Sequence, residues 1–295
     1  MAAFKGRRSG RQQPPNTYFI QDRLREELVR LRTQDEMLTR GMGGVLAEQS
    51  DPALFQRVLD VGCGTGGWLI EVAKLYPTMP LLMGIDINSK MVSAAREQAQ
   101  AQQVSDRVEF HTMDALRHLE FPNEYFDLVN QRLGLSFLRI WDWPGLLQQY
   151  QRITRPGGTI RITEAEPIAL GTSPALTRLG SFLLQALHQA GHLFMAESDG
   201  LTSQLAEMVG RHGLLNIQTQ VHPLQYHAGT RAGQQFYEDA RDIFRTALPF
   251  MHKWGKVPDN YEELYQQALN EMQQPDFVAT WTLLTVWGTV PTENG

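Results

Sequence analysis

Three aspartates and a run of glycines are spaced so that they can act together on one small ligand. The stretch Val58-Leu59-Asp60-Val61-Gly62-Cys63-Gly64-Thr65-Gly66-Gly67 carries an apolar strand into a glycine-rich turn that opens a helix at Trp68 and Leu69. Glycines in such a turn let the backbone approach a ligand closely, and a helix start offers unpaired N–H groups and a positive dipole end. Gly62, Gly64 and Gly67 also spell G-x-G-x-x-G, a dinucleotide-binding pattern. Asp60 argues against a dinucleotide, because a carboxylate two residues before the first glycine repels a pyrophosphate and suits an ammonium or sulfonium group. Asp86, in Gly84-Ile85-Asp86-Ile87-Asn88, can accept from both hydroxyls of a ribose, and Asp114 is placed to accept from an adenine amino group. Three acids at three successive strand ends describe a nucleoside with a positive tail and no phosphates. An NAD-dependent oxidoreductase would use the same glycines but leave Asp60 and Asp114 without a role.

The elements that must hold these residues alternate between apolar runs and helical periods. Strands are expected over 57–61, 81–86, 107–111, 126–130 and 159–164, with Pro77, Pro122 and Pro156 at the joints. Asn88 is a candidate N-cap for a helix over 89–103, and Pro144 fits the first turn of another. Later helices are expected over 174–190, 198–213, 231–250 and 260–274, with strands over 215–221 and 277–287. Ile20, Leu24, Leu28, Leu31 and Leu38 predict an amphipathic helix starting near Tyr18 and stopping at Gly41, Gly43 and Gly44. The fold expected is α/β, with seven strands in a mostly parallel sheet and helices on both faces. Its organisation reads as a disordered basic tail over 1–16, a helical cap over 17–50 and one domain over 51–295, with lid insertions at about 167–198 and 223–275.

The motifs in this order resemble those of class I S-adenosylmethionine-dependent methyltransferases with their Rossmann-like fold. Asp60-Val61-Gly62-Cys63-Gly64-Thr65-Gly66 is similar to the family's first motif, and Asp86 to its ribose acid. Asp114-Ala115 matches the adenine position, Phe126-Asp127-Leu128-Val129-Asn130 the fourth-strand motif, and Ile153-Thr154-Arg155-Pro156-Gly157-Gly158 the turn before strand five. The resemblance covers about 57–164 closely and the last two strands more loosely. It implies S-adenosylmethionine as cofactor, S-adenosylhomocysteine as product and no metal, with Asp60, Gly62, Gly64, Asp86, Ile87, Met91, Asp114, Ala115 and Asn130 holding the cofactor. It also implies in-line displacement, in which alignment and exclusion of water contribute most.

The acceptor is less legible. Relatives that methylate amino groups of nucleic acid or protein often carry an Asn/Asp-Pro-Pro-aromatic run after strand four, whereas Asn130 here precedes Gln131-Arg132-Leu133. Candidates for the acceptor pocket are Tyr18, Gln131, Arg132, Glu164, Glu166 and His192. The Phe-, Leu-, Met- and Trp-rich stretches around them suggest a closed, fairly apolar cavity for a small organic molecule. A net charge of −5 argues against nucleic acid as partner, although an RNA or protein methyltransferase stays open, as does a cofactor-binding protein with a non-methylating role. His188 and His192 lie four apart without an H-E-x-x-H pattern, so no metal site is read there. Cys63 is the lone cysteine and fits a small slot in the turn, which suits a reducing cytoplasm. No window is apolar enough to span a membrane, and the basic N-terminal residues lack the apolar core of a secretory signal. A homodimer is left open.

Overall fold

In a computed structural model of the chain, residues 24–292 are described. The tail expected over 1–16, together with Tyr18 and Ile20, lies outside them. The elements run α1 (Leu24–Gly41), β1 (Arg57–Val61), α2 (Gly67–Leu75), β2 (Leu81–Asp86), α3 (Ser89–Ala101), β3 (Val108–Thr112), β4 (Phe126–Arg132), α4 (Trp143–Ile153) and β5 (Thr154–Ala165). There follow β6 (Leu170–Gly171), α5 (Pro174–Gln189), α6 (Thr202–Arg211), β7 (Leu215–His227), α7 (Arg231–Thr246), α8 (Leu248–Trp254), α9 (Tyr261–Glu271) and β8 (Val278–Thr289).

Strands β3, β2, β1, β4 and β5 lie side by side in parallel, and β8 joins β5 antiparallel. Along one edge β8 pairs with β5 and then with the short β6, and along its other edge with β7. The buried parallel strands read as nearly unbroken apolar runs because both of their faces are covered. Val58, Leu82, Val108 and Leu128 pack with α2 and α3 on one face, whereas Leu59, Val61, Val129 and Ile160 pack with α4 and the later helices on the other.

Several boundaries differ from expectation for local reasons. The sheet has eight strands, not seven, because the two-residue β6 is too short to leave a periodic signal. Strand β5 begins at Thr154, since its first residue pairs with Phe126 before Arg155–Gly158 bulge out and Thr159 resumes pairing with Leu128. Strand β7 continues through Pro223 to His227, which moves 223–227 out of the expected insertion and into the sheet; a proline is tolerated at the edge. The helix expected over 231–250 is divided at Ala247, where Pro249 enters the first turn of α8. Helix α6 starts at Thr202 rather than 198. Asn88 does cap α3, accepting from the Lys90 amide at 3.0 Å.

Register places Asp60 of β1, Asn130 of β4 and Arg161 of β5 in one row across the sheet, on the face that carries α2. Arg161, with no exposure, pairs with Glu48 at 2.5 Å and donates to Asn130 Oδ1 at 2.7 Å. Asn130 in turn donates to Asp60 Oδ1 at 2.7 Å. Burial pushes the Glu48 carboxyl up, but the Arg161 guanidinium outweighs it and holds the group below its ordinary value. Removing one partner of such a pair leaves a buried charge uncompensated. Glu48→Gln is expected to lower stability by about 3–5 kcal/mol in denaturant melts at neutral pH. A carboxyl depressed by folding stabilises above its unfolded pKa and loses that contribution as pH falls through the folded value, so the gap between variant and wild type narrows below pH about 4. A difference under about 1 kcal/mol at pH 7 would show the pair to be dispensable.

The glycine turn has one position that tolerates no side chain and one that does. Gly66 sits at φ +76, where an added methyl meets the Phe110 ring and Ala95, while Gly64 at φ +52 has nothing within 4 Å of that point. Gly66→Ala is expected to cost about 3 kcal/mol or more, from backbone strain plus overpacking, against about 1 kcal/mol of strain alone for Gly64→Ala. Thermal melts of both variants give the comparison; equal losses contradict it.

Candidate active site

Beyond the carboxyl ends of the parallel strands lies a cavity of about 490 Å³. One half is built on the glycine turn. The amides of Gly62 and Cys63 both donate to Ile85 O at 2.9 Å, which ties the turn to β2. The Gly64 amide donates to Asp86 Oδ2 at 3.0 Å and the Asn88 amide to Oδ1 at 2.8 Å. Both Asp86 oxygens are thus fixed by backbone donors while each keeps a lone pair for the cavity. Burial raises the Asp86 pKa, and these two amides oppose it. Asp60 is pushed up to about 7 by burial, against the Arg132 charge and the Asn130 hydrogen bond. Asp114 accepts from the Leu116 amide at 3.0 Å and pairs with Arg117 at 3.1 Å. Ile87, Met91, Met113 and Ala115 supply the apolar walls between these acids.

The other half is largely apolar, with Leu133, Leu135, Phe137, Ile168, Leu176, Leu183, Leu187, Phe236, Ile243, Phe244 and Trp281 on its walls. α1, α5 and α7 contribute most of its roof. Two polar features interrupt it. Arg30 of α1 donates to Asp239 of α7 at 2.7 Å and to Glu27 at 2.9 and 2.8 Å, and Gln34 donates to the two Asp239 oxygens at 3.2 and 3.1 Å. At the end of β5, Glu166 lines the cavity and its backbone oxygen accepts from Trp281 Nε1 at 2.7 Å. Burial, then the nearby Asp199 charge, raises the Glu166 pKa.

The structure brings together at this cavity Asp60, Gly62, Gly64, Asp86, Ile87, Met91, Asp114, Ala115, Arg132 and Glu166. It places Asn130, Gln131, Glu164 and His192 elsewhere. Asn130 is wholly buried in the row beneath, where it holds Asp60. Gln131 points to the opposite face, donating to Glu164 at 2.9 Å and accepting from the Tyr150 hydroxyl at 2.8 Å. Glu164 does not line the cavity: it accepts from the amides of Gly134 and Leu135 at 2.8 and 3.0 Å and so fixes the loop after β4, with its pKa pushed up to about 7 by burial. His192 hydrogen-bonds Leu138 O at 2.8 Å inside the core, and burial lowers its pKa. The position of Tyr18 lies outside the described residues.

Residues that sequence reasoning missed are Arg30, Gln34 and Asp35 of α1 and Asp239 of α7. On an amphipathic helix such groups read as the solvated face, and only the packing of α1 against α7, and of Asp35 against Arg132 of β4, turns them inward. A weak signal existed in the four-residue spacing of Arg30 with Gln34 and of Leu31 with Asp35. Among the described residues no group of three His, Cys, Asp or Glu side chains is arranged to hold a metal ion. Nor is any helix there long and apolar enough to cross a membrane.

The donor set suits an adenosyl sulfonium cofactor: carboxylates without a phosphate cradle, and open space above Gly64 where a ligand can approach the backbone. Comparison with known proteins agrees. Residues 58–158 match a family described as a methyltransferase domain. The chain is 28% identical over 255 residues to 27-O-demethylrifamycin SV methyltransferase of Amycolatopsis mediterranei, covering 86% of this chain and 79% of that one. It is 37% identical over 124 residues to demethylmenaquinone methyltransferase of Deinococcus radiodurans, covering 42% and 49%. Like that one, most of the curated relatives are matched over less than two thirds of their own length. A solved phosphoethanolamine N-methyltransferase 2 of Haemonchus contortus, in complex with S-adenosylhomocysteine, shares the fold with a TM-score of 0.51 at 20% identity, over 86% of this chain and 52% of that one. Sheet order, glycine turn and matched domain converge: residues 58–158 carry a methyltransferase domain, and the chain around them is similar to S-adenosylmethionine-dependent methyltransferases of the class I fold.

Proposed function

We propose that the chain methylates a small, largely apolar organic molecule through an oxygen, nitrogen or carbon nucleophile, in a chamber roofed by α1, α5 and α7. The observation that carries this reading is the single cavity of about 490 Å³ that joins the acid-lined half at the glycine turn to the apolar half. Such a volume suits a small-molecule site. In this reading the described part of the expected cap, 24–50, covers the cavity, and 167–198 with 228–275 form the lid. The relatives point the same way, since the molecules in their names, 27-O-demethylrifamycin SV and demethylmenaquinone, are not macromolecules.

S-adenosylmethionine, when bound, supplies an electrophilic methyl group on a sulfonium. Asp86 holds the ribose hydroxyls, Asp114 with Ile87, Met91 and Ala115 the adenine, and Asp60 the positively charged tail. The apolar walls orient the acceptor and exclude water, which is where most of the acceleration of a displacement comes from. Glu166 is the group for holding or removing an acceptor proton. The other lining carboxylates are engaged by amides, amide side chains or guanidinium groups, whereas the Glu166 side chain makes no hydrogen bond or ion pair among the described residues.

Titration calorimetry with S-adenosylmethionine, S-adenosylhomocysteine and NADH tests the cofactor reading, and turnover with a panel of aromatic and terpenoid acceptors tests the rest. Micromolar binding of the first two ligands without NADH is the expected outcome. Asp86→Ala is expected to weaken both by about a hundredfold or more, and unchanged affinity would remove Asp86 from the site. Salt-sensitive binding to RNA would favour a nucleic-acid substrate instead.

The elevated pKa of Asp60 has a consequence for binding. An acid raised to about 7 is largely protonated at pH 5.5 and largely charged at 7.5, and only the charged form attracts a cation. Affinity for S-adenosylmethionine is therefore expected to rise about tenfold across that interval. Asp60→Asn should flatten the rise; a variant that keeps the full pH dependence would assign it to another group.

A further inference from the structure

The roof of the apolar half holds a hydrogen-bonding group that no protein group completes. Gln34 of α1 is buried and lines the cavity, and its Nε2 donates to both oxygens of Asp239 on α7. An ionised carboxylate accepts and does not donate, so this contact fixes which way the amide points. Gln34 Oε1 is the end that remains, and among the described residues nothing donates to it. Arg30 is committed in the same cluster, with Nη1 on Asp239 and with Nε and Nη2 on Glu27. Around Asp239 the cavity side of α7 is apolar, with Phe236, Ala240 and Ile243. Tyr226 of β7 stacks on Phe236, ring centres 4.7 Å apart, and its buried hydroxyl also lacks a hydrogen-bond partner among the described residues. Burial and, after it, the Asp239 charge push the Tyr226 pKa up, so this hydroxyl keeps its proton. Protein interiors seldom leave such groups unpaired, and here two lie at one contact.

We propose that Gln34, oriented by Asp239, anchors a hydroxyl group of the acceptor, which donates to Gln34 Oε1 while the apolar body of the molecule packs on Phe236, Ile243 and Phe244. The inference rests on the acceptor chamber proposed above and narrows it. The substrate is a neutral, hydroxyl-bearing apolar molecule, not a plain hydrocarbon and not a carboxylate. A hydrocarbon covers Oε1 without supplying a donor and leaves it desolvated and unpaired. A carboxylate has no proton to give and sets a second anion beside Asp239, while the guanidinium that could offset it is already held between Glu27 and Asp239. A site built to hydrogen-bond a hydroxyl rejects the analogue lacking it more sharply than an apolar wall rejects a change of size. Gln34 is an amide without basicity, so it acts as a specificity contact and leaves the proton-accepting role to Glu166.

The test is equilibrium dialysis of 2-naphthol, 2-methylnaphthalene and 2-naphthoate against the full chain saturated with S-adenosylhomocysteine, since these probes share one ring system and differ in the group they offer. Wild-type protein is expected to bind 2-naphthol about fivefold or more tighter than either of the others. Gln34→Met keeps the side-chain volume and the Arg30–Asp239 ion pair; in it 2-naphthol falls to within about twofold of 2-methylnaphthalene, which binds as in wild type. In Asp239→Asn the rejection of 2-naphthoate is lost, because the opposing anion is gone. A preference for 2-naphthol that is absent in wild type or survives Gln34→Met overturns the proposal. So does a loss in Gln34→Met that strikes all three probes equally, which would make the cluster a strut between α1 and α7. Equal binding of 2-naphthol and 2-methylnaphthalene by wild type leaves the apolar chamber standing without the anchor. If wild-type protein binds none of the three, the chamber reading itself fails, and the inference with it.

Discussion

A guanidinium without access to water lies under the centre of the sheet, and the glycine-turn end of the cavity is organised around it. Arg161 is neutralised by Glu48 and passes a hydrogen bond through Asn130 to Asp60. Desolvating these groups is expensive, and only near-complete pairing makes the arrangement tolerable. What it secures is the position of one carboxylate at the glycine turn, facing the cavity and already partly neutralised by burial. Glu48 comes from the segment between α1 and β1, so the same row fastens that segment to the sheet.

The two faces of the sheet divide the labour. On the α2 face the row of Asp60, Asn130 and Arg161 and, two residues on, Arg132 present charge to the cavity or to each other. On the α4 face Gln131 and Glu164 work with Tyr150 to shape the loop after β4. Leu133 at the head of that loop takes a left-handed conformation at φ 57, held by its amide bond to Thr163 O at 2.8 Å. Such strain persists where surrounding hydrogen bonds over-determine it, and here it leads the chain into Leu135 and Phe137 on the apolar wall of the cavity.

The apolar half of the cavity depends on helices remote in sequence. α1 and α7 meet through the buried cluster of Arg30, Glu27, Gln34 and Asp239, with the charged groups paired at the contact. Asp239 has its pKa raised by burial, opposed by the Arg30 charge.

By itself the sequence located the acids and glycines that line one end of the cavity. Asp60, the glycines, Asp86 and Asp114 are local: each lies at a strand end whose apolar run and following turn are visible in a few neighbouring residues, and the parallel sheet follows from the alternation of such units. Only the tertiary structure decided the roles of Asn130, Gln131 and Arg132. Strand alternation has a period of two, so knowing which face each occupies requires the strand to continue to Arg132 and its register with β1 and β5 to be set. Taken as a loop, the three look like one polar group at a pocket mouth; taken as a strand, they split between the Asp60 row, the opposite core and the cavity. The same holds for Asp239 and Asp35, whose helical periodicity marks them as solvated until α1 packs on α7, where Asp239 meets Arg30, and against the end of β4, where Asp35 meets Arg132. Local chemistry is written in adjacent residues, while the partner of a buried charge lies across the fold, as far from Arg30 in the chain as Asp239.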